Sequence, residues 1–477
     1  MNYILDHSKK HQQFFEEMTR IPHGSFNEKA YSDYLVEFAK ERGLAYEQDE
    51  VYNVIICKPA TPGYEDHAPV ILQAHTDMVC EKHRDVEFNF ETDALELRIE
   101  DGYLMANGTT LGADDGTGVA YMLAILDSDT YQHPMLQCIF TVSEEVGLIG
   151  ALALKKEQLK AKRMINLDDG GDFVSCMSSA GGMNVLLEKE CVHVPLTEDA
   201  LRIRIKGLSG GHSGGEIHRE RGNANRLLAR ILSHLNKHYG VQVVSFHGGD
   251  KDNAIPREAD ATIVSDASFE TLNKAVEAFA KHLYKEYEAS DKGLQIFTEP
   301  TTCEAALSIE ESEAFIALLN VLPDGLRHHS MSIEGLSTAS SNLAVVSCED
   351  NKISINVSLR GALESYVDDL ANVCELLSNA YGYEYSDEGR YPAWAYDEVS
   401  ELREVMKRVC KEKMGKDLKL IAVHGGLECG VFKALDPEME IATMGPIMFD
   451  IHTPNERLNL QSFDDTFTFL VEILAAL

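Results

Sequence analysis

Positive charge is scarce in this sequence. Its 477 residues carry 43 Lys and Arg against 78 Asp and Glu, a formal net charge of −35. That imbalance argues against nucleic acid or anionic membrane held through the bulk field, and favours cationic ligands, metal ions among them. Long apolar runs are lacking too: none approaches the roughly 20 residues that cross a bilayer. The opening MNYILDHSKKHQQFFEEM has no basic, then apolar, then small order of a secretory signal, so a cytoplasmic protein is expected. The ten cysteines include no CxxC, which removes the zinc ribbon and the thioredoxin-type motif. Most lie in apolar surroundings and read as reduced core thiols. No internal repeat or low-complexity tract is present.

What is there is globular: 44% hydrophobic and 25% charged residues, in a chain long enough for two or three domains. Helices are predicted over 8–20 and up to residue 42, with strands over 53–57 and 69–74. Strands and helices go on alternating to residue 167, which predicts an α/β domain with a largely parallel sheet flanked by helices. Near residue 183 the texture changes. A strand at 201–206, a glycine-rich loop at 207–215, a long helix at 223–239, strands near 294–298 and 302–308, strands at 329–335, 343–348 and 353–361, and a helix at 364–380 predict a separate α+β domain. Around residues 391–394 the chain returns to the first domain, with helices expected at 398–413 and 463–476. The expected division is 1–183 with 391–477, and 184–390.

The chemistry collects where apolar runs end. Ile139-Phe140-Thr141-Val142 breaks into Ser143-Glu144-Glu145, placing two carboxylates at the carboxyl end of a buried strand, where open α/β sheets have their ligand crevice. Neighbouring side chains diverge, so one glutamate can hold a metal while the other faces the water that the metal activates. The run 69–74 ends in His75-Thr76-Asp77. Residues 75 and 77 share one side of an extended strand, which suits a metal ligand and a carboxylate that orients it. The segment 108–118, GTTLGADDGTG, resembles a phosphate loop entering a helix. Its Asp114 and Asp115 would repel phosphate and attract a cation. A further run, 163–167, ends in Asp168-Asp169, and His452 lies in Ile451-His452-Thr453-Pro454. The candidates are therefore His75, Asp114 or Asp115, Glu144 or Glu145, Asp168 or Asp169, and His452. Two imidazoles and three carboxylates form a hard N/O set that zinc, manganese or cobalt accept. They exceed what one zinc needs, and two ions sharing a bridging Asp use them naturally.

In order along the chain, His75-Thr-Asp77, Gly112-Ala-Asp114-Asp115-Gly, Ser143-Glu144-Glu145-Val-Gly, Asn166-Leu-Asp168 and Ile451-His452-Thr-Pro resemble the co-catalytic two-zinc peptidases. That family includes glutamate carboxypeptidase, aminoacylase, aminotripeptidases and carnosinase. The segments GLSGGHSGGEIH (207–218), DNAIPREA (252–259) and HGGLECG (424–430) are similar to its non-specific dipeptidase branch, which acts on Xaa-His dipeptides among others.

The resemblance implies a zinc-peptidase domain with an inserted lid or dimerisation domain, and a homodimer formed through it. It implies His75, Asp114, Glu145, Asp168 and His452 as metal ligands, His75 with Asp168 on one ion and Glu145 with His452 on the other. Asp114 would bridge, with a cis peptide to Asp115. Asp77 would orient His75, and Glu144 would be the general base. In the inserted domain His212 would stabilise the oxyanion, while Asn253 and Arg360 would hold the polar ends of the substrate. His424 and Gly426 would shape the pocket. Many relatives carry Lys after the acidic pair; Gly116 stands there instead, a departure that suits the dipeptidase branch better than the aminotripeptidases. The alternatives are a tripeptidase or N-acyl amino acid deacylase on the same scaffold, and a binding protein that has lost catalysis.

Overall fold

The computed structural model describes residues 3–331, 333–349 and 351–477. The chain forms two compact units. One runs to Ser179 and takes in Trp394–Ala422 and Leu427–Leu477; the other comprises Ala180–Ala393 with Val423–Gly426.

The first unit is built on a six-stranded mixed sheet. Its order is Ala45–Gln48, Val54–Lys58, Leu136–Thr141, Val70–His75, Arg163–Asn166, Glu440–Thr443. The first two pairings are antiparallel and the last three parallel. Val70–His75 and Leu136–Thr141 are buried along their whole length, which is why they read as largely apolar runs rather than as an alternation. Helices Lys10–Met18, Lys29–Glu41, Ala113–Asp127 and Leu460–Ala476 feed Phe15, Leu35, Leu123 and Phe463 into one core with these strands. Because the three central strands are parallel, their carboxyl ends open on the same edge of the sheet. A separate four-stranded antiparallel sheet joins Leu97–Glu100 and Tyr103–Ala106 to Met448–Phe449 and Arg457–Asn459. The hairpin between its last two strands carries His452, at a φ of +62°.

The second unit has a nine-stranded antiparallel sheet. Helices Ala224–Tyr239, Phe269–Glu286, Ile309–Val321 and Glu364–Tyr381 pack on it through Leu228, Val276, Phe315 and Leu370 among others. Sequence periodicity missed several of its features. The expected strands near 294–298 and 302–308 are one long edge strand, Gln295–Leu307, which follows His193–Lys206 through a bulge. The strand expected at 329–335 lies earlier, at Gly325–His329. Residue 332 is outside the described residues; Ser330 N–H donates to the Leu336 carbonyl and Gly335 adopts φ +78°. In the first unit, the helix expected at 398–413 is α-helical over Glu401–Val409 and ends in a π turn, Cys410–Met414. Among the described residues no helix is long and apolar enough to cross a membrane, and no disulfide joins any of the ten cysteines.

Candidate metal centre

His75 ends the central strand and is 1% exposed. Its Nδ1 lies 3.0 Å from the Asp77 backbone carbonyl, an acceptor only, so Nδ1 carries the hydrogen. In the neutral ring Nε2 is then a bare lone pair, and it faces Asp114 Oδ1 at 3.1 Å and Asp168 Oδ1 at 3.9 Å. Lone pairs meet stably only with a proton or another cation between them. Burial opposes charge on this imidazole, but Asp114, Asp77 and Asp168 outweigh it and hold its pKa well above the usual histidine range.

The Asp77 carboxylate is itself buried and lies 3.4 Å from His75 Nδ1, farther than the carbonyl of the same residue. It accepts hydrogen bonds from the Ser25 hydroxyl (2.8 Å) and from the backbone N–H groups of Glu144 (2.9 Å) and Glu145 (3.3 Å). Asp77 therefore ties the end of one strand to the turn that follows its neighbour, and orients His75 through main chain first.

Asp114 follows Gly112, which is left-handed at φ +68°. The N–H groups of Leu111, Gly112 and Ala113 all point at the buried Glu456 carboxylate, at 2.7, 3.1 and 2.8 Å. The Asp114–Asp115 peptide is cis. Asp114 Oδ1 faces His75, and its Oδ2 lies 3.1 Å from His452 Nε2. One oxygen is thus turned toward each imidazole. Burial would raise this carboxyl, but the two histidines hold it far below the carboxylate range. Asp115 points elsewhere: its Oδ1 accepts the Gly118 N–H at 3.1 Å.

Glu144 and Glu145 leave the strand end through Ser143, whose N–H and hydroxyl are both held by Glu28 Oε1, at 2.9 and 2.6 Å. Glu145 Oε1 lies 2.9 Å from His452 Nε2 but is buried without hydrogen-bond geometry to any donor. Burial pushes the Glu144 carboxyl well up, His75 pulls against it, and the like charges of Glu145, Glu428 and Asp114 add to the rise. Asp114 first, then Glu145, push His452 up to about 10. Asp168 also rises, through burial and the charge of Asp114. The adjacent Asp169 turns away, accepting from Cys176 N–H (3.1 Å) and the Thr443 hydroxyl.

Ligand atoms of His75, Asp114 and Asp168 lie within 4.8 Å of one another, as do those of Asp114, Glu145 and His452, and those of His75, Glu144 and Glu145. Asp114 belongs to the first two sets. Four carboxylates converge here, and among the described residues no Lys or Arg is ion-paired with them. The orphaned Glu145 oxygen and the bare His75 lone pair fit divalent cations bound by hard N/O donors.

The sequence alone assigns no role to two acidic residues here. Glu456 lies four residues after His452 and takes the three N–H groups before Asp114. Glu428 is fully buried and accepts from Gln73 Nε2 (2.5 Å) and the Thr141 hydroxyl (2.9 Å). Gln73 in turn accepts from Asn166 at 2.7 Å. This network joins the three central strands just below their carboxyl ends. A glutamine and an asparagine inside otherwise apolar strands, and Glu428 within the segment HGGLECG, were its visible traces.

The remaining expected residues lie in the second unit. Gly211–His212 pairs with Ala254–Ile255, and Ser213 N–H donates to the Asn253 carbonyl at 2.8 Å, so His212 and Asn253 share one short ribbon. His212 Nδ1 accepts from Gly214 and Gly215 N–H at 3.2 and 3.0 Å. That leaves the ring hydrogen of the neutral form on Nε2. Arg360 is 8% exposed, and donates through Nη1 to the Tyr391 hydroxyl at 2.8 Å. His424 Nε2 lies 2.7 Å from Ser340 Oγ, while its buried Nδ1 meets no partner in full hydrogen-bond geometry among the described residues. Burial, then Arg360, His218 and His212, push this imidazole down to about 3. Gly426 lies against Tyr391: a Cβ there would come within 2.7 Å of the ring. Tyr391 was read from the sequence only as a point where the chain returns.

The pattern of peptidase family M20/M25/M40 matches residues 71–476. The chain belongs to this family. Among M20 relatives, the cytosol non-specific dipeptidase of Escherichia coli (strain K12) is 36% identical over 466 residues, covering 96% of each chain. The crystal structure of aminoacylhistidine dipeptidase from Vibrio alginolyticus superposes with a TM-score of 0.88 at 32% identity, covering 98% of this chain and 96% of that one. The aminopeptidase PepT of Bacillus cereus shares the fold at 18% identity, with a TM-score of 0.55. The chain thus has the M20 peptidase fold, and its family implies divalent metal ions.

Proposed function

We propose that this M20 peptidase is a dipeptidase that hydrolyses unblocked dipeptides with broad specificity, Xaa-His among them. Its near full-length likeness to two proteins named as dipeptidases is the observation that carries this reading. The E. coli relative is named as cytosolic, which favours a cytoplasmic protein.

His75, Asp168 and Asp114 would hold one divalent ion, and Glu145, His452 and Asp114 a second, their ligand atoms lying within reach of one another in each set. Zinc suits the donors, with manganese or cobalt acceptable. When bound, such ions supply Lewis acidity and a water acidic enough to be deprotonated at neutral pH. Glu144 takes the proton from the attacking water and returns it to the leaving amine. Asp77 keeps the Nδ1 hydrogen of His75 engaged, so that Nε2 would be available to hold an ion. His212 donates from Nε2 to the developing oxyanion. Arg360 receives the free carboxylate of the substrate, for which its fork is matched, and Asn253 meets another polar group. His424 and Gly426 line the same region of the second unit, which serves as lid and as the surface of a homodimer.

The test is a substrate panel on the metal-loaded protein: Ala-His, Ala-Ala-Ala and N-acetyl-methionine. Ala-His is expected to turn over fastest. Preference for the acetylated compound would replace the reading by a deacylase, and preference for the tripeptide by a tripeptidase.

A further inference from the structure

Arg360 is a buried cation without a counter-ion. It is 8% exposed in a chain of 78 acidic residues, yet no carboxylate lies within ion-pair distance of it among the described residues. Its partners are neutral: the Tyr391 hydroxyl at 2.8 Å and, more weakly, the Ser213 hydroxyl at 3.4 Å. Two imidazoles that act on the neighbouring His424, His218 and His212, add no negative charge. A buried charge left in that state is costly, and a ligand carboxylate relieves it.

The position of Tyr391 is built. Gly182 stands opposite Arg360 in one strand pairing and opposite Tyr391 in the next. Having no side chain, it lets the phenol lie across it to reach the guanidinium. A Cβ on Gly182 would fall 2.6 Å from the Tyr391 hydroxyl oxygen, and one on Gly426 2.7 Å from the ring. Two glycines from distant parts of the sequence therefore open the slot that the ring fills.

Hydrogen-bond polarity then decides what the hydroxyl does. A guanidinium only donates, so Arg360 occupies a lone pair of the Tyr391 oxygen and the phenolic hydrogen must point elsewhere. An anion that settles on the remaining N–H groups of the guanidinium lies beside that hydrogen. We propose that Tyr391 is a specificity-determining residue, its hydroxyl giving the substrate carboxylate a second donor beside Arg360. This rests on the dipeptidase reading and adds to it the way a free carboxyl terminus is told from a blocked one.

The experiment compares Ala-His with its C-terminal amide, on the metal-loaded full chain and on Tyr391→Phe. A hydrogen bond to a charged group is worth enough to shift KM by about tenfold or more. The Phe variant is expected to show that rise on the free acid, with kcat within about twofold and the amide unaffected. A Phe variant that discriminates acid from amide as the parent does would overturn the proposal and leave the dipeptidase reading standing. A parent protein that cleaves both equally would overturn the role of Arg360 and this proposal together. If Tyr391→Phe folds poorly, Gly426→Ala displaces the ring with its hydroxyl intact. It is expected to raise KM on the free acid alone, and an unchanged KM would likewise overturn the proposal.

Discussion

The two units leave opposite charges unpaid. In the first, Asp114, Glu144, Glu145 and Asp168 crowd around two imidazoles without a Lys or Arg ion-paired to them among the described residues. In the second, Arg360 is buried with only hydroxyl partners among the described residues. A half-buried carboxylate in the first unit is compensated by contrast: Asp464 is held by His11 (2.7 Å), Gln12 (2.7 Å) and Lys9 (2.5 Å). An uncompensated charge is destabilising until a ligand arrives. The contrast thus teaches what each unit awaits: cations in one, an anion in the other.

The comparison can be broken most sharply at Glu144. Glu144→Gln is expected to lower kcat by about two to four orders of magnitude while bound metal, measured by elemental analysis, stays the same. An unchanged rate would remove Glu144 as the base. Chelation tests the same unit by its stability. Ions held at about a hundred times their Kd stabilise by about 3 kcal/mol, so dialysis against a chelator should lower the melting temperature and abolish turnover, and zinc or manganese should restore both. A melting curve indifferent to the chelator would mean that protons alone satisfy the acids.

Arg360→Met sharpens the other side. It replaces an unpaired buried cation with an apolar chain of similar length, so thermal stability should hold or rise. KM for free dipeptides should rise by about thirtyfold or more, as expected when one partner of a buried charged pair is truncated. Loss of stability would mean that Arg360 is structural.

The smallest effect belongs to the compensated control, Asp464. Burial opposes its charge, but His11, Lys9 and Gln12 prevail and lower its pKa to about 2. A carboxyl depressed on folding stabilises above its unfolded pKa, about 4, and loses that contribution as pH falls toward 2. Asp464→Ala should therefore cost about 2 kcal/mol near neutrality, a deficit that fades below about pH 4 in denaturant titrations. Turnover per folded molecule should not change.

Much of this was legible in the sequence because the first unit announces its strands as apolar runs. Where such a run stops at an acid or a histidine, the crevice edge is marked, and His75, the pair Glu144-Glu145 and the pair Asp168-Asp169 stand out. Which member of a pair faces inward was not legible in the runs and came only from the family resemblance. Asp115 and Asp169 are spent on Gly118 and on Cys176 with Thr443, contacts fixed by tertiary packing. The second unit was harder to read. Its half-exposed antiparallel strands carry weak alternation, so Gln295–Leu307 looked like two strands and Gly325–His329 was expected several residues late. Tyr391 and Gly182 acquire meaning only through register, when both are set beside Arg360.

Glu456 gives the hairpin that bears His452 a grip on a distant loop. Its carboxylate clasps the amides of Leu111, Gly112 and Ala113, one residue short of Asp114. Two donors separated by 338 positions are therefore coupled like the jaws of one vice. Were the hairpin to shift, it would drag the Asp114 loop along, so the gap between those donors is governed by a glutamate that need never touch an ion.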